Sequence, residues 1–263
     1  MPKDNQGISA NELDLKIQGI PVLEDNIIWI LVVKKLAIVV DPALTRPVNT
    51  WLKENELELL AILQTHHHED HIGGTPGLLK LWPKAEVVAS FSDLKRIPFQ
   101  TISVSNEDEI SLEGSDLDIK VLGVPGHTQT HLAYYIPTSK TYKNKPILFC
   151  GDTLFGGGCG RLFEGTAKDM YNSLKSLCTL PSETRVYCAH EYTENNLIWA
   201  KGLRPKDIAI NERLCKVIAL RRKGQLSLPS KIADEKATNL FVRAKTIEEL
   251  ADLRKHKDEW KSQ

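Results

Sequence analysis

The chain has 263 residues, with 34 acidic and 34 basic side chains, a formal net charge of zero and 41% hydrophobic residues. That length suits one large domain with a smaller appendage, and the composition suits a globular chain that buries a core. Balanced charge excludes a global pull toward nucleic acid or a membrane surface.

The N-terminal stretch Met1 to Lys16 is polar and lacks the apolar run of a signal peptide. Ile27 to Val33 is too short for a membrane span. The five cysteines, Cys150, Cys159, Cys178, Cys188 and Cys215, form no CxxC pair. An odd number without an export signal points to free thiols in a reducing compartment, so a cytoplasmic location is expected.

In chain order, Ile28–Val33 and Leu36–Val40 read as a hairpin ending in Asp41-Pro42. Val48–Leu57 reads as helix, Leu59–Leu63 as a buried strand, Gly73–Leu81 as helix and Glu86–Ala89 as strand. Further strands are expected at Ile119–Val124, His131–Ile136, Ile147–Cys150 and Arg185–Cys188, with an amphipathic helix over Ala167–Leu177. From about Glu191 the pattern turns helical and charged, over Leu197–Gly202, Ile208–Lys223 and Thr246–Trp260. Residues 1–191 are therefore expected to form the metal-binding domain and residues 192–263 a small helical one.

Four strand-like runs end in metal-ligand chemistry. They lead into Thr65-His66-His67-His68-Glu69-Asp70-His71, Gly126-His127-Thr128, Gly151-Asp152-Thr153 and Ala189-His190-Glu191. His66 and His68 are two apart, so in extended backbone both point to one side, while Asp70 and His71 follow a change of direction. One segment can thus serve two adjacent metals. Imidazole and carboxylate suit zinc, iron or manganese better than calcium. His67 and Glu69 are expected not to be ligands, and His131 to support the fold. Asp41 either orients a ligand histidine or serves a plain turn.

These motifs resemble the metallo-β-lactamase superfamily and, within it, the glyoxalase II (hydroxyacylglutathione hydrolase) family. The closer resemblance rests on Leu23-Glu24-Asp25-Asn26, Gly151-Asp152-Thr153-Leu154-Phe155, Gly158-Cys159-Gly160-Arg161, Val186 through Thr193, Asn195-Asn196 and Arg254 through Asp258. It implies an α/β fold, an αββα sandwich with the metals at one edge, followed by a helical domain that helps bind glutathione. It implies two divalent metal ions per chain, zinc first and iron or manganese as alternatives. His66, His68 and His127 would hold one; Asp70, His71 and His190 would hold the other; Asp152 would bridge them. Asp70 and Asp152 would be the catalytic carboxylates. Two metals about 3.5–4 Å apart lower the pKa of a shared water, giving a metal-bridged hydroxide at neutral pH.

By the same resemblance Arg161, Tyr192, Arg254 and Lys257 would contact the glutathione part. Arg254 and Lys257 are three apart and share one helix face, although a solvated charged face is the ordinary behaviour of such a pair. Phe163 stands where the family often has a tyrosine, Thr130 where it often has glycine, and Ile27 where tyrosine is common. His256 is expected to be solvated, and the five tryptophans to be packing or surface residues. The expected reaction is hydrolysis of S-D-lactoylglutathione to D-lactate and glutathione, the last step of methylglyoxal removal. The rival is a glutathione persulfide dioxygenase of the same fold using one iron. The expected partner is a small-molecule glutathione thioester, with no nucleic acid, no membrane and a monomeric chain.

Overall fold

A computed structural model of the chain describes residues 15–139, 141–142 and 144–260. The polar stretch read above as carrying no export signal lies almost wholly outside them. Among the described residues no helix is long and apolar enough to cross a membrane.

Two six-stranded sheets face each other. The first contains β1 (Lys16–Val22), β2 (Asn26–Val33), β3 (Leu36–Val40), β4 (Glu58–Leu63), β5 (Glu86–Ser90) and β6 (Ile102–Val104), in spatial order β1 to β6. β1, β2 and β3 pair antiparallel, and β3 to β6 pair parallel. The β3–β4 crossover carries α1 (Thr45–Glu54); the β4–β5 crossover carries α2 (Glu69–Ile72) and α3 (Thr75–Leu81). Because this sheet is covered on both faces, β2 is apolar from Ile27 to Val33 rather than alternating. Ile27, Trp29, Leu31 and Val33 enter the core between the sheets, whereas Ile28 and Ile30 pack with Val48 and Leu52 of α1.

The second sheet contains β7 (Glu109–Ser111), β8 (Asp118–Gly123), β9 (Leu132–Ile136) and β10 (Ile147–Gly151). After the small hairpin of β11 (Leu154–Phe155) and β12 (Gly158–Cys159) come α4 (Ala167–Leu177) and β13 (Arg185–Cys188). The tail comprises α5 (Thr193–Leu203), α6 (Ile208–Arg221), β14 (Ser230–Lys231), α7 (Ile232–Thr238), α8 (Leu240–Arg243) and α9 (Ile247–Glu259). The order of this sheet is β14-β13-β10-β9-β8-β7, so the tail returns one short strand to it. Thr166 and Asp169 form a reciprocal capping box that starts α4, and Met170, Leu174 and Leu177 bury its apolar face.

The expected hairpin, helices and strands are present within a few residues. Two differences have simple causes. The helix expected over Gly73–Leu81 starts at Thr75, because Gly73 and Gly74 turn the chain and Gly74 N donates to Pro42 O at 2.7 Å. β1 had no sequence signal: its Gly19 and Pro21 interrupt the pattern, which an edge strand tolerates. A buried ion pair within the tail carries the carboxylate that ties the tail to the loop before β12. Fully buried Glu235 accepts from Arg213 Nη2 at 2.6 Å, Asn239 Nδ2 at 3.0 Å and Gly157 N at 2.8 Å.

Candidate metal centre

The ligand-bearing segments follow β4 of one sheet and β8, β10 and β13 of the other, so the donors gather at one edge of the sandwich. A bridge between Asn26 and His190, with Ile27 N donating to Ala189 O at 2.7 Å, closes that edge.

Outer hydrogen bonds fix which nitrogen of each imidazole faces inward. Thr65 Oγ1 donates to Asp41 Oδ2 at 2.6 Å, so it accepts from His66 Nδ1 at 3.0 Å and leaves His66 Nε2 bare. His127 Nδ1 donates to Arg161 O at 2.9 Å, leaving its Nε2 bare as well. Between them lies His68 Nδ1, 2.9 Å from His66 Nε2 and 3.0 Å from His127 Nε2. One imidazole proton cannot satisfy two lone pairs at once, so the three nitrogens fit a cation. Burial and its histidine neighbours push His68 down to about 4, which keeps it neutral.

The second group is built the same way with carboxylates. His71 Nδ1 donates to Asp41 Oδ2 at 3.0 Å, and His190 Nδ1 to Asp25 Oδ1 at 2.7 Å. Their Nε2 atoms lie 3.6 and 3.5 Å from Asp70 Oδ2, while Asn26 Nδ2 donates to that oxygen at 3.0 Å. Asp152 joins the groups. Its Oδ1 is 3.5 Å from His71 Nε2 and 3.3 Å from His190 Nε2, and its Oδ2 is 3.4 Å from His127 Nε2. His71 Nε2 and Asp152 Oδ1 are buried without a hydrogen-bond partner, as expected of atoms shaped to hold an ion. Burial alone would raise Asp152, but His71 and His190 hold it well below the usual carboxylate range. Burial opposes protonation of His190, yet Asp152 and Asp25 raise it to about 9. The donor sets His66/His68/His127 and Asp70/His71/His190 each lie within 4.8 Å of one another.

Local backbone explains Gly151 and Gly160. Gly151 has φ +47°, and a Cβ there would meet Thr65 Oγ1 at 2.4 Å. A Cβ on Gly160 would meet Asp152 O at 2.1 Å. Asp41, at φ +48°, uses the left-handed conformation that aspartate tolerates to turn its carboxylate onto Thr65 and His71.

His68, Asp70, His127, Asp152 and His190 form the floor of a cavity of about 490 Å³. Arg161, Phe163, Tyr192, Arg254 and Lys257 all line it. Tyr192 stacks on His190 with rings 4.9 Å apart and 4° from parallel; burial and Asp25 push its phenol up, so it stays neutral. Arg254 donates to Cys159 O at 2.9 Å and pairs with Asp258 at 2.7 Å, leaving its Nε buried and unpartnered. The ammonium of Lys257 sits 4.2 Å from the ring centre of Trp260, and burial with neighbouring Arg254 lowers its pKa to about 8. Phe163 is 64% exposed at the rim, its ring 5.2 Å from His127 and 5.6 Å from His68.

The metallo-beta-lactamase superfamily profile matches residues 25–190, and the profile of the hydroxyacylglutathione hydrolase C-terminus matches residues 191–260. A hydroxyacylglutathione hydrolase of Prochlorococcus marinus (strain MIT 9303) is 60% identical over 246 residues, 94% of each chain. The chain belongs to the hydroxyacylglutathione hydrolase family of the metallo-beta-lactamase superfamily. A further hydroxyacylglutathione hydrolase, from Parasynechococcus marenigrum (strain WH8102), is 54% identical over 94% of this chain and 98% of its own. Among solved structures, ETHE1 from Myxococcus xanthus superposes with a TM-score of 0.68 at 25% identity, covering 92% of this chain and 91% of that one. The BLEG-1 B3 metallo-beta-lactamase shares the fold, with a TM-score of 0.63 at 22% identity over 87% of this chain and 100% of its own.

For this hydroxyacylglutathione hydrolase family member, the fold and the divalent-metal character of the site agree with the sequence expectations. Geometry brings the seven expected ligands into one cluster, of which His68, Asp70, His127, Asp152 and His190 line the cavity together with all five expected substrate residues, while His66 and His71 lie buried behind them. It also adds contacts that have no local sequence signal. His256 is exposed, as expected, and also accepts from Trp199 Nε1 at 3.0 Å. Trp260 lines the cavity instead of serving only as packing. Thr130, which stands where the family often has glycine, donates its hydroxyl to Asp93 Oδ2 at 2.5 Å. Asp25 and Asn26 entered only through the resemblance; their contacts with His190 and Asp70 span too much sequence for spacing to reveal.

Proposed function

We propose that the chain hydrolyses S-D-lactoylglutathione to D-lactate and glutathione in a two-metal site. The observation carrying this reading is the carboxylate of Asp152, shared between two donor groups beneath a cavity rimmed by cations. In this reading His66, His68 and His127 hold one ion, Asp70, His71 and His190 the other, and Asp152 both. Zinc suits the donors, with iron and manganese the alternatives. When bound, such ions supply a low-pKa water and a Lewis acid for the thioester carbonyl.

The chain's own residues do the rest. Asp41 and Asp25 keep His71 and His190 in one tautomer, and Arg161 O does so for His127. Asn26 orients Asp70 by donating to Oδ2, the oxygen that faces His71 and His190. Attack forms a C–O bond and breaks the C–S bond; the departing thiolate is a weak base and takes up a proton as free glutathione. Arg161, Arg254 and Lys257 offer positive charge to the two glutathione carboxylates, and Tyr192 offers a neutral hydroxyl. Phe163 gives an apolar rim in place of a hydrogen bond. The segment after residue 191 supplies Tyr192, Arg254 and Lys257, which makes it the glutathione-binding part. Free cysteines fit a reducing cytoplasm.

Parallel assays with S-D-lactoylglutathione, glutathione persulfide and a β-lactam test the reading. Turnover of the thioester alone is expected; persulfide oxidation with one tightly held iron would replace this account with a dioxygenase.

A further inference from the structure

Arg96 lies on the loop between β5 and β6, outside the residues assigned to binding or catalysis above. Its guanidinium reaches every loop that carries the three-histidine group. Nε donates to Asp93 Oδ1 at 2.6 Å and Nη2 pairs with the same carboxylate. Nη2 also donates to Thr130 Oγ1 at 3.0 Å, while Nη1 donates to Glu164 Oε1 at 2.6 Å and lies 3.2 Å from His67 Nε2. Glu164 in turn accepts from Gln129 N at 2.9 Å, and Gln129 Nε2 donates to Glu164 O at 3.0 Å. Asp93 is fully buried, which makes this an anchored assembly instead of a solvated pair.

The residues it joins are informative. His67 sits between His66 and His68, Gln129 and Thr130 follow His127, and Glu164 follows Phe163. The Glu164 segment also carries Arg161, whose carbonyl fixes the His127 tautomer. The other donor group is anchored by Asp41, Asp25 and Asn26, with no contact to Arg96 among these bonds. A planar fork of five donors meets four acceptors here, which a lysine cannot copy.

We propose that Arg96 is a positioning residue that couples the three-histidine group to the Phe163 rim. It sets both the affinity of that group for its ion and the affinity for substrate. The inference rests on the two-metal reading above.

The test is a zinc titration of metal-free wild type, Arg96→Met, Arg96→Lys and Thr130→Gly against a chromophoric chelator, with KM and kcat measured at saturating zinc. In Arg96→Met one stepwise affinity is expected to fall about 10–100-fold while the other stays within about twofold. KM rises, kcat changes less, and Arg96→Lys recovers only part of the loss. Thr130→Gly shifts the same affinity by less and covers the case in which Arg96→Met fails to fold. Equal weakening of both affinities, or an unchanged KM with both affinities intact, overturns the inference. If wild type itself binds fewer than two ions, the two-metal reading has failed first.

Discussion

Asp152 concentrates the chemistry of the site in one carboxylate, with an oxygen turned toward each donor group. Asp152→Ala is expected to reduce bound metal below two ions per chain and lower kcat/KM by about 100-fold or more, as measured by metal analysis beside the thioester assay. Retention of two ions would remove its bridging role. At the rim, Phe163→Tyr restores a hydroxyl where the ring already faces the cavity. One neutral hydrogen bond contributes about 0.5–1.5 kcal/mol, so KM is expected to fall by about 2–10-fold with kcat little changed. Lys257 gives a pH signature. Its pKa of about 8 means that its charge is present below that pH and lost above it, so KM for the anionic substrate rises as pH passes through 8. Lys257→Ala flattens that limb of the KM profile. The sign for stability is opposite: the unfolded chain keeps the proton longer than the folded one, so this group's contribution to stability grows with pH from about 8 toward the usual lysine range.

At the scale of elements, what could be read from the sequence depended on separation along the chain. Ligands at the ends of β4, β8, β10 and β13 were legible because apolar runs, turns and donor residues follow one another locally. The choice between roles for Asp41 was open until its carboxylate was seen between Thr65 and His71. β14 is two residues long, and Arg96, the His256–Trp199 contact and the Asp25–His190 pair, 165 positions apart, have no local signature at all. The substrate residues came from family resemblance; their residue types alone fit a solvated helix face as well. The Arg213–Glu235 pair is another feature that only packing reveals. Glu235→Ala strands the Arg213 guanidinium and removes the acceptor of Gly157 N, so a loss of about 3–5 kcal/mol is expected. Urea unfolding measures it; a loss below about 1 kcal/mol would mean that water satisfies the freed groups.

For the whole molecule, two sheets meet at one edge and the tail closes over it through α9, whose Arg254 reaches Cys159 O. The donor groups lie on both sheets, so ions held there would crosslink the sandwich as well as serve the proposed reaction. Ions bound to the folded state alone stabilise it by about 2.7 kcal/mol at a hundredfold excess over Kd. Chelation is therefore expected to lower Tm by about 5–10 °C in a thermal melt, and an unchanged Tm would show that the ions contribute little to holding the sheets together. The proposed thioester hydrolysis with two ions in one site makes activity depend on metal stoichiometry. Its most direct measurement is turnover of S-D-lactoylglutathione during stepwise zinc addition to the metal-free protein. Activity is expected to reach its plateau at two equivalents; full activity at one equivalent, or none at two, would rule out a two-ion thioester hydrolase.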